Sequence, residues 1–117
     1  MARLTIRIDF DDGSGLGPGK VQLLELVAQT GSIRKAAAEL GMSYRKAWLL
    51  LQALKETFGT PLVETASGGK SGGGTSLTAA GREVVSRYRK LERAAAKAAS
   101  ADLRALTRKM DRNGLIH

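Results

Sequence analysis

The chain has 117 residues, 43% of them apolar but only 4% aromatic, so a single domain with an aliphatic core fits and a second has little room. It has no cysteine, and its one histidine is the last residue, His117, which excludes disulfides, thiolate metal sites and a histidine-based catalytic triad. With 19 Lys and Arg against 11 Asp and Glu, the net charge of +8 points to a polyanion such as nucleic acid, the alternative being a soluble protein that is merely basic.

Met1 to Phe10 lacks the apolar stretch of a signal peptide, and no apolar run approaches the roughly 18 residues of a membrane span. The expected location is therefore the cytoplasm, with no membrane partner. In the same segment Leu4, Ile6, Ile8 and Phe10 alternate with Arg3, Thr5, Arg7 and Asp9, a period of two that predicts a short half-buried strand. Asp11 to Gly19 is turn-rich and predicts a loop, so residues 1–17 form an amino-terminal strand and loop. Pro18 suits an early helix position, and Lys20 to Thr30 reads as helix, stopped by Gly31. Val21, Leu23, Leu24, Leu26, Val27 and Ala28 cover more than one stripe of it, as expected of a helix buried on two sides, in part by a second subunit.

Ser32 is placed to cap a helix from Ile33 to Leu40, and Gly41 ends it. Ser43 then caps a third helix, Tyr44 to about Phe58, which stops at Gly59 with Pro61 beyond. Two capped helices joined by a short glycine turn make a helix-turn-helix pattern over residues 32–58, within a helical core of 18–60. Leu62 to Ala66 and Thr75 to Leu77 are short strand candidates, so residues 61–78 read as a hairpin of the kind called a wing. A last helical stretch opens at Thr78 or Ala79 and reaches about residues 110–112. In it Val84, Tyr88, Leu91, Ala95 and Ala98 form a narrow apolar seam, which then jumps to Ala99, Leu103, Leu106 and Met110. That jump predicts a bend or a new helix near Ser100. The fold expected is mainly α, a three-helix core with a β-hairpin wing and a long carboxy-terminal dimerisation helix.

On the third helix Ala47, Leu50, Leu51, Leu54 and Phe58 share the core side, leaving Arg45, Leu49, Gln52 and Glu56 opposite, flanked by Tyr44, Lys46 and Trp48. Arg and Gln each suit paired hydrogen bonds to purine edges, and an outward Leu49 suits a thymine methyl. A solvated face would account for Arg45 and Gln52 but not for Leu49; Trp48 fits either boundary packing or a DNA contact. Residues 68–74 hold five glycines with Lys70 and Ser71, suited to close approach to phosphates or a groove, or else to a plain linker. Of the basic residues that follow, Arg82, Arg87, Arg89, Lys90, Arg93 and Lys97, most read as solvation of a dimer helix.

Three patterns fail, the first being the dinucleotide-binding one, whose third glycine would be Pro18 counted from Gly13 and Lys20 counted from Gly15. Gly69-Lys70-Ser71 resembles the end of a nucleotide-binding loop, but the required earlier glycine is Glu64, so no nucleotide is expected. Asp9, Asp11 and Asp12 resemble the start of a calcium loop, but the twelfth position is Lys20, so no metal is expected. No acid, base and nucleophile converge, and the chain is not expected to be an enzyme.

Thr30-Gly31-Ser32-Ile33, Ala36-Ala37, Gly41-Met42-Ser43-Tyr44 and Ala47-Trp48 together resemble the amino-terminal domain of the ModE family of molybdate-responsive regulators. The resemblance continues through Pro61-Leu62-Val63-Glu64, Gly68-Gly69-Lys70, Gly72-Gly73-Gly74, Leu77-Thr78 and Gly81, spanning roughly residues 18 to 91. A looser likeness, a winged helix followed by a dimer helix, is shared with LysR-type regulators. Thr65 stands where the ModE family usually has arginine, and Leu49 and Leu50 replace more polar residues, so the DNA sequence read is expected to differ. The family's molybdate-binding domains are expected to be missing after His117, and no cofactor is expected.

The resemblance implies a bacterial transcription regulator that binds double-stranded DNA as a homodimer. Ser32 and Ser43 would cap helices whose amino ends meet phosphate, and Tyr44, Arg45, Leu49 and Gln52 would face bases. Lys46, Lys70 and Ser71 would touch backbone or minor groove, and Val84, Tyr88, Leu91, Ala95 and Ala98 would form the dimer interface. The alternative is an interaction protein that heterodimerises through its last helix with a full-length relative.

Overall fold

The computed structural model describes residues 2–66 and 74–114, the last four by backbone alone. In chain order it comprises β1 (Ile8–Asp9), β2 (Gly15–Leu16), α1 (Pro18–Thr30), α2 (Ile33–Glu39), α3 (Tyr44–Phe58), β3 (Val63–Ala66), β4 (Gly74–Leu77), α4 (Ala79–Ala98) and α5 (Ser100–Gly114). It is a mainly helical winged helix-turn-helix with two small antiparallel hairpins. No described helix is long and apolar enough to cross a membrane.

The amino-terminal segment departs from the single strand expected. Leu4, Ile6, Ile8 and Phe10 are half-buried and their alternating neighbours exposed, so the period of two is real. Only Ile8–Asp9 is paired, however, and its partner Gly15–Leu16 lies inside the stretch expected to be all loop. A tight turn makes this possible. Gly13 takes φ 90°, its N–H reaches the Phe10 carbonyl at 3.0 Å, and the Asp12 carboxylate accepts from the Ser14 hydroxyl at 2.6 Å and its N–H at 2.9 Å. The same two bonds, the hydroxyl's foremost, hold Asp12 below the usual carboxylate range. The returning strand delivers Leu16 to the core.

Pro18 opens α1, and Gly31 closes it at φ 71° with its N–H on the Val27 carbonyl at 2.8 Å. Val21, Leu23, Leu24 and Val27 are fully buried, and α1 lies against α2, α3, α4 and β4. The chain itself therefore covers most of the broad apolar surface expected to be buried in part by a second subunit; Leu26 is half-buried and Ala28 exposed. Ala36, Ala37 and Ala47 are buried with only a Cβ each, which lets α2 and α3 approach closely. Phe10 meets Phe58 edge to face, with ring centroids 5.8 Å apart, so the first hairpin closes the end of α3.

In the wing Val63 stands opposite Leu77 and Ala66 opposite Gly74, and the Thr75 N–H donates to the Gly31 carbonyl at 2.9 Å. Thr78 caps α4: its hydroxyl accepts from the Gly81 N–H at 3.0 Å and donates to the Pro61 carbonyl at 2.8 Å. Gly81 sits directly on the Leu62 carbonyl, where a Cβ has no room. Further along α4, Arg89 donates to both oxygens of Glu25, at 2.6 and 3.0 Å, and to Glu92 at 2.8 Å. Those bonds, Glu25's first, raise the guanidinium's pKa above its ordinary value. The helix ends at Ala98 with Ala99 as its cap, and α5 starts at Ser100, where the apolar seam jumps.

Candidate nucleic-acid interface

The helix-turn-helix is set by two serines. The Ser32 hydroxyl accepts from the Lys35 N–H at 3.1 Å and the Ser43 hydroxyl from the Lys46 N–H at 3.0 Å, so each supplies a partner to one free amide of a first turn. Between them Gly41, at φ 67°, turns the chain in a conformation that a side chain would strain.

Core burial fixes how α3 is rotated. Ala47, Leu51 and Leu54 are buried, with Leu50 and Phe58 packed against them. Tyr44, Trp48 and Leu49 are left 43%, 44% and 47% exposed, beside exposed Arg45 and Lys46 and half-buried Gln52. Leu49 therefore has no core role, as expected from the helical wheel. Trp48, for which two roles were open, is nearly as exposed as Leu49. Together Tyr44, Arg45, Leu49 and Gln52 give α3 one outward face with a cation, an amide, an aromatic ring and an aliphatic tip.

One member of this surface was missed in the sequence. The Arg34 guanidinium lies 4.8 Å from the centre of the Tyr44 ring, so α2 reaches across the turn to steady the first residue of α3. The usable signal was the basic pair Arg34 and Lys35 directly after the capping Ser32 and Ile33. Among the described residues Arg34, Lys35, Arg45 and Lys46 make no ion pair, so this end of the molecule keeps four uncompensated cations. Lys70 and Ser71 lie outside the described residues. At the base of the wing, the Thr65 and Thr75 hydroxyls face each other at 3.4 Å.

The expected dimer seam needs one correction. Tyr88 is 1% exposed, its hydroxyl donating to the Ile6 carbonyl at 2.6 Å, so it belongs to the core of its own chain and presents nothing to a partner. Val84 is likewise packed against that core. Leu91 is 51% exposed, Ala98 exposed and Ala95 half-buried, and the unpartnered apolar surface continues on α5 with Leu106 and Met110. Of the basic residues on α4, Arg82 bonds the Leu77 carbonyl, Arg87 pairs with Glu83 and Arg89 with two glutamates.

Residues 19–82 match the family model described as bacterial regulatory helix-turn-helix protein, lysR family. The chain is similar to the molybdenum transport protein ModE of Herbaspirillum seropedicae, 48% identical over 71 residues, which is 61% of this chain and 26% of that protein. It is also similar to the molybdenum-pterin-binding protein MopB of Rhodobacter capsulatus, 42% identical over 89 residues, 76% of this chain and 33% of that protein. The chain thus spans between about a quarter and a third of the length of these relatives. Among solved structures the CbnR_DBD–DNA complex is similar, with a TM-score of 0.59 and 25% identity, over 75% of this chain and 95% of that one.

Proposed function

The chain belongs to the LysR-type family of bacterial regulatory helix-turn-helix proteins, and on that footing we propose that it is a transcriptional regulator that binds double-stranded DNA as a dimer, with α3 in the major groove. The observation that carries this reading is the outward face of α3. An exposed Leu49 between Arg45 and Gln52 has no part in the core, yet it supplies an apolar contact where a major groove offers thymine methyls. In this docking Arg45 pairs with a guanine edge, Gln52 with an adenine edge, and Tyr44, steadied by Arg34, stacks its polar end toward the groove wall. Ser32 and Ser43 act as caps that fix the amino ends of α2 and α3 near phosphates, with Lys46 beside them. Lys70 and Ser71, which in sequence lie between β3 and β4, are assigned to the backbone or the minor groove.

The net charge of +8 supplies the sequence-independent part of the affinity, and the uncompensated cations of α2 and α3 place much of it at the reading end. Dimerisation uses Leu91, Ala95 and Ala98 together with Leu106 and Met110 of α5; the large side chains among them, Leu91, Leu106 and Met110, are otherwise left in water. No catalytic step and no cofactor enters this reading. The test is selection of genomic fragments by the purified chain: enrichment of a sequence with two-fold symmetric half-sites about one helical turn apart is expected. Recovery of fragments without a shared sequence would leave a basic protein with no reading helix, and would overturn the proposal.

A further inference from the structure

The proposed docking leaves unused a groove of about 750 Å³ bounded by the amino-terminal segment, the start of α1, the end of α4 and α5. Leu4 and Leu103, both half-buried, give it an apolar floor. Around them stand Arg3 from the amino-terminal segment, Arg93 from α4, and Arg104 and Arg108 from α5. Glu92, the one carboxylate among the groove's described lining residues, is already taken, because it holds Arg89 together with Glu25. Of the five arginines that line the groove only Arg89 is paired in this way; Arg3, Arg93, Arg104 and Arg108 make no ion pair to a described residue. Arg104 and Arg108 are moreover one helical turn apart, a like-charged spacing that weakens a helix when nothing neutralises it.

We propose that this groove binds a small organic dianion with an apolar middle, such as an aromatic or extended aliphatic dicarboxylate. Guanidiniums brought in from three separate elements can meet two anionic groups at once, each by paired hydrogen bonds, and also stack on a flat apolar body. The volume lies within the range of organic-ligand sites and is far larger than a single oxyanion needs. A duplex backbone, by contrast, is met by projecting cations, whereas these arginines edge a hollow with leucines at its floor.

Naphthalene-2,6-dicarboxylate is the probe, titrated into the whole chain by calorimetry at about 0.15 M salt so that loose surface attraction is screened. One saturable site per chain is expected. Naphthalene-2,6-dimethanol, which has the same body without charge, should show no site, and sulfate should bind at least about tenfold more weakly. The double substitution Arg93→Gln with Arg104→Gln should weaken the dicarboxylate at least about tenfold, and Arg3→Gln, on chain outside any helix, should weaken it in the same direction. Arg45→Gln, at the other cationic surface, should leave it unchanged.

Absence of saturation, equal binding of the diol or of sulfate, or equal weakening by Arg45→Gln would each overturn the proposal. It falls also if random duplex displaces the probe while the groove substitutions lower affinity for that duplex, since the groove is then a backbone contact. It falls if those substitutions convert a dimer to monomer in sedimentation, since a second copy then fills it. The proposal does not depend on operator binding, so the fragment selection and this titration fail separately.

Discussion

The Tyr88 hydroxyl donates to the Ile6 carbonyl at 2.6 Å, fastening α4 to a residue 82 positions earlier that lies in extended chain without a strand partner. Tyr88→Phe keeps the ring in place and leaves that carbonyl without its donor, so urea unfolding should show a loss of about 1 kcal/mol. Burial first, and the charge of Glu92 second, raise the phenol's pKa above its ordinary value. The unfolded chain then ionises before the folded one, so the contribution is whole below about pH 10 and is lost as pH rises past it. Wild type should therefore lose stability above that pH more steeply than Tyr88→Phe.

Two buried glycines should respond in opposite ways to the same added methyl. At Gly81 it would meet the Leu62 backbone carbonyl, which also accepts the Thr78 N–H at 3.0 Å and cannot retreat without breaking the cap of α4. Gly81→Ala should cost more than about 2 kcal/mol. At Gly15 the atoms nearest the methyl would be those of the Arg7 guanidinium, the far end of a flexible side chain. Gly15→Ala should stay within about 1 kcal/mol. Paired thermal melts distinguish the two.

Arg45→Ala should remove about 1–3 kcal/mol from operator binding and relax preference at one position per half-site, while affinity for random duplex changes much less. Arg34→Ala removes the guanidinium 4.8 Å from the Tyr44 ring and should cost the operator about 0.5–1 kcal/mol. Both residues are exposed, so the melting temperature should hold. Fluorescence anisotropy on operator and random duplexes across a salt series gives the comparison. An unchanged operator-to-random ratio for Arg45→Ala would mean that α3 is not the reading element.

Leu91, 51% exposed on α4, should be the most sensitive single position for self-association. Leu91→Glu places a charge in an apolar contact without disturbing the core, and sedimentation at micromolar concentration should shift from dimer toward monomer. A wild-type chain that sediments as a monomer would remove the dimer from the reading.

Features that depend on neighbours in sequence were legible beforehand. The capping serines, the glycines that end α1 and α3, the outward Leu49 beside the inward Leu50, and the break near Ser100 all follow from short-range spacing and backbone chemistry. What was not legible depends on distant chain. A 4-3-4-3 seam looks the same whether its apolar side meets another copy or its own amino terminus, so Tyr88 was assigned to the wrong partner. The return strand at Gly15–Leu16 is only two residues long and sits among glycines that signal loop. The arginine groove is assembled from residues near positions 3, 93 and 104, which no local pattern connects.

The hydrogen bond from the Thr75 N–H to the Gly31 carbonyl joins the base of the wing to the turn that launches the helix-turn-helix. Under the proposed docking, the groove-reading helix and the hairpin beside it are then one yoke rather than two independent fingers. The separation between α3 and the base of the hairpin, at Thr65 and Thr75, becomes a fixed length, set by protein backbone. Different operators can vary in the letters they present, but the helix that reads them and the root of the hairpin reach the duplex together, at one angle to each other.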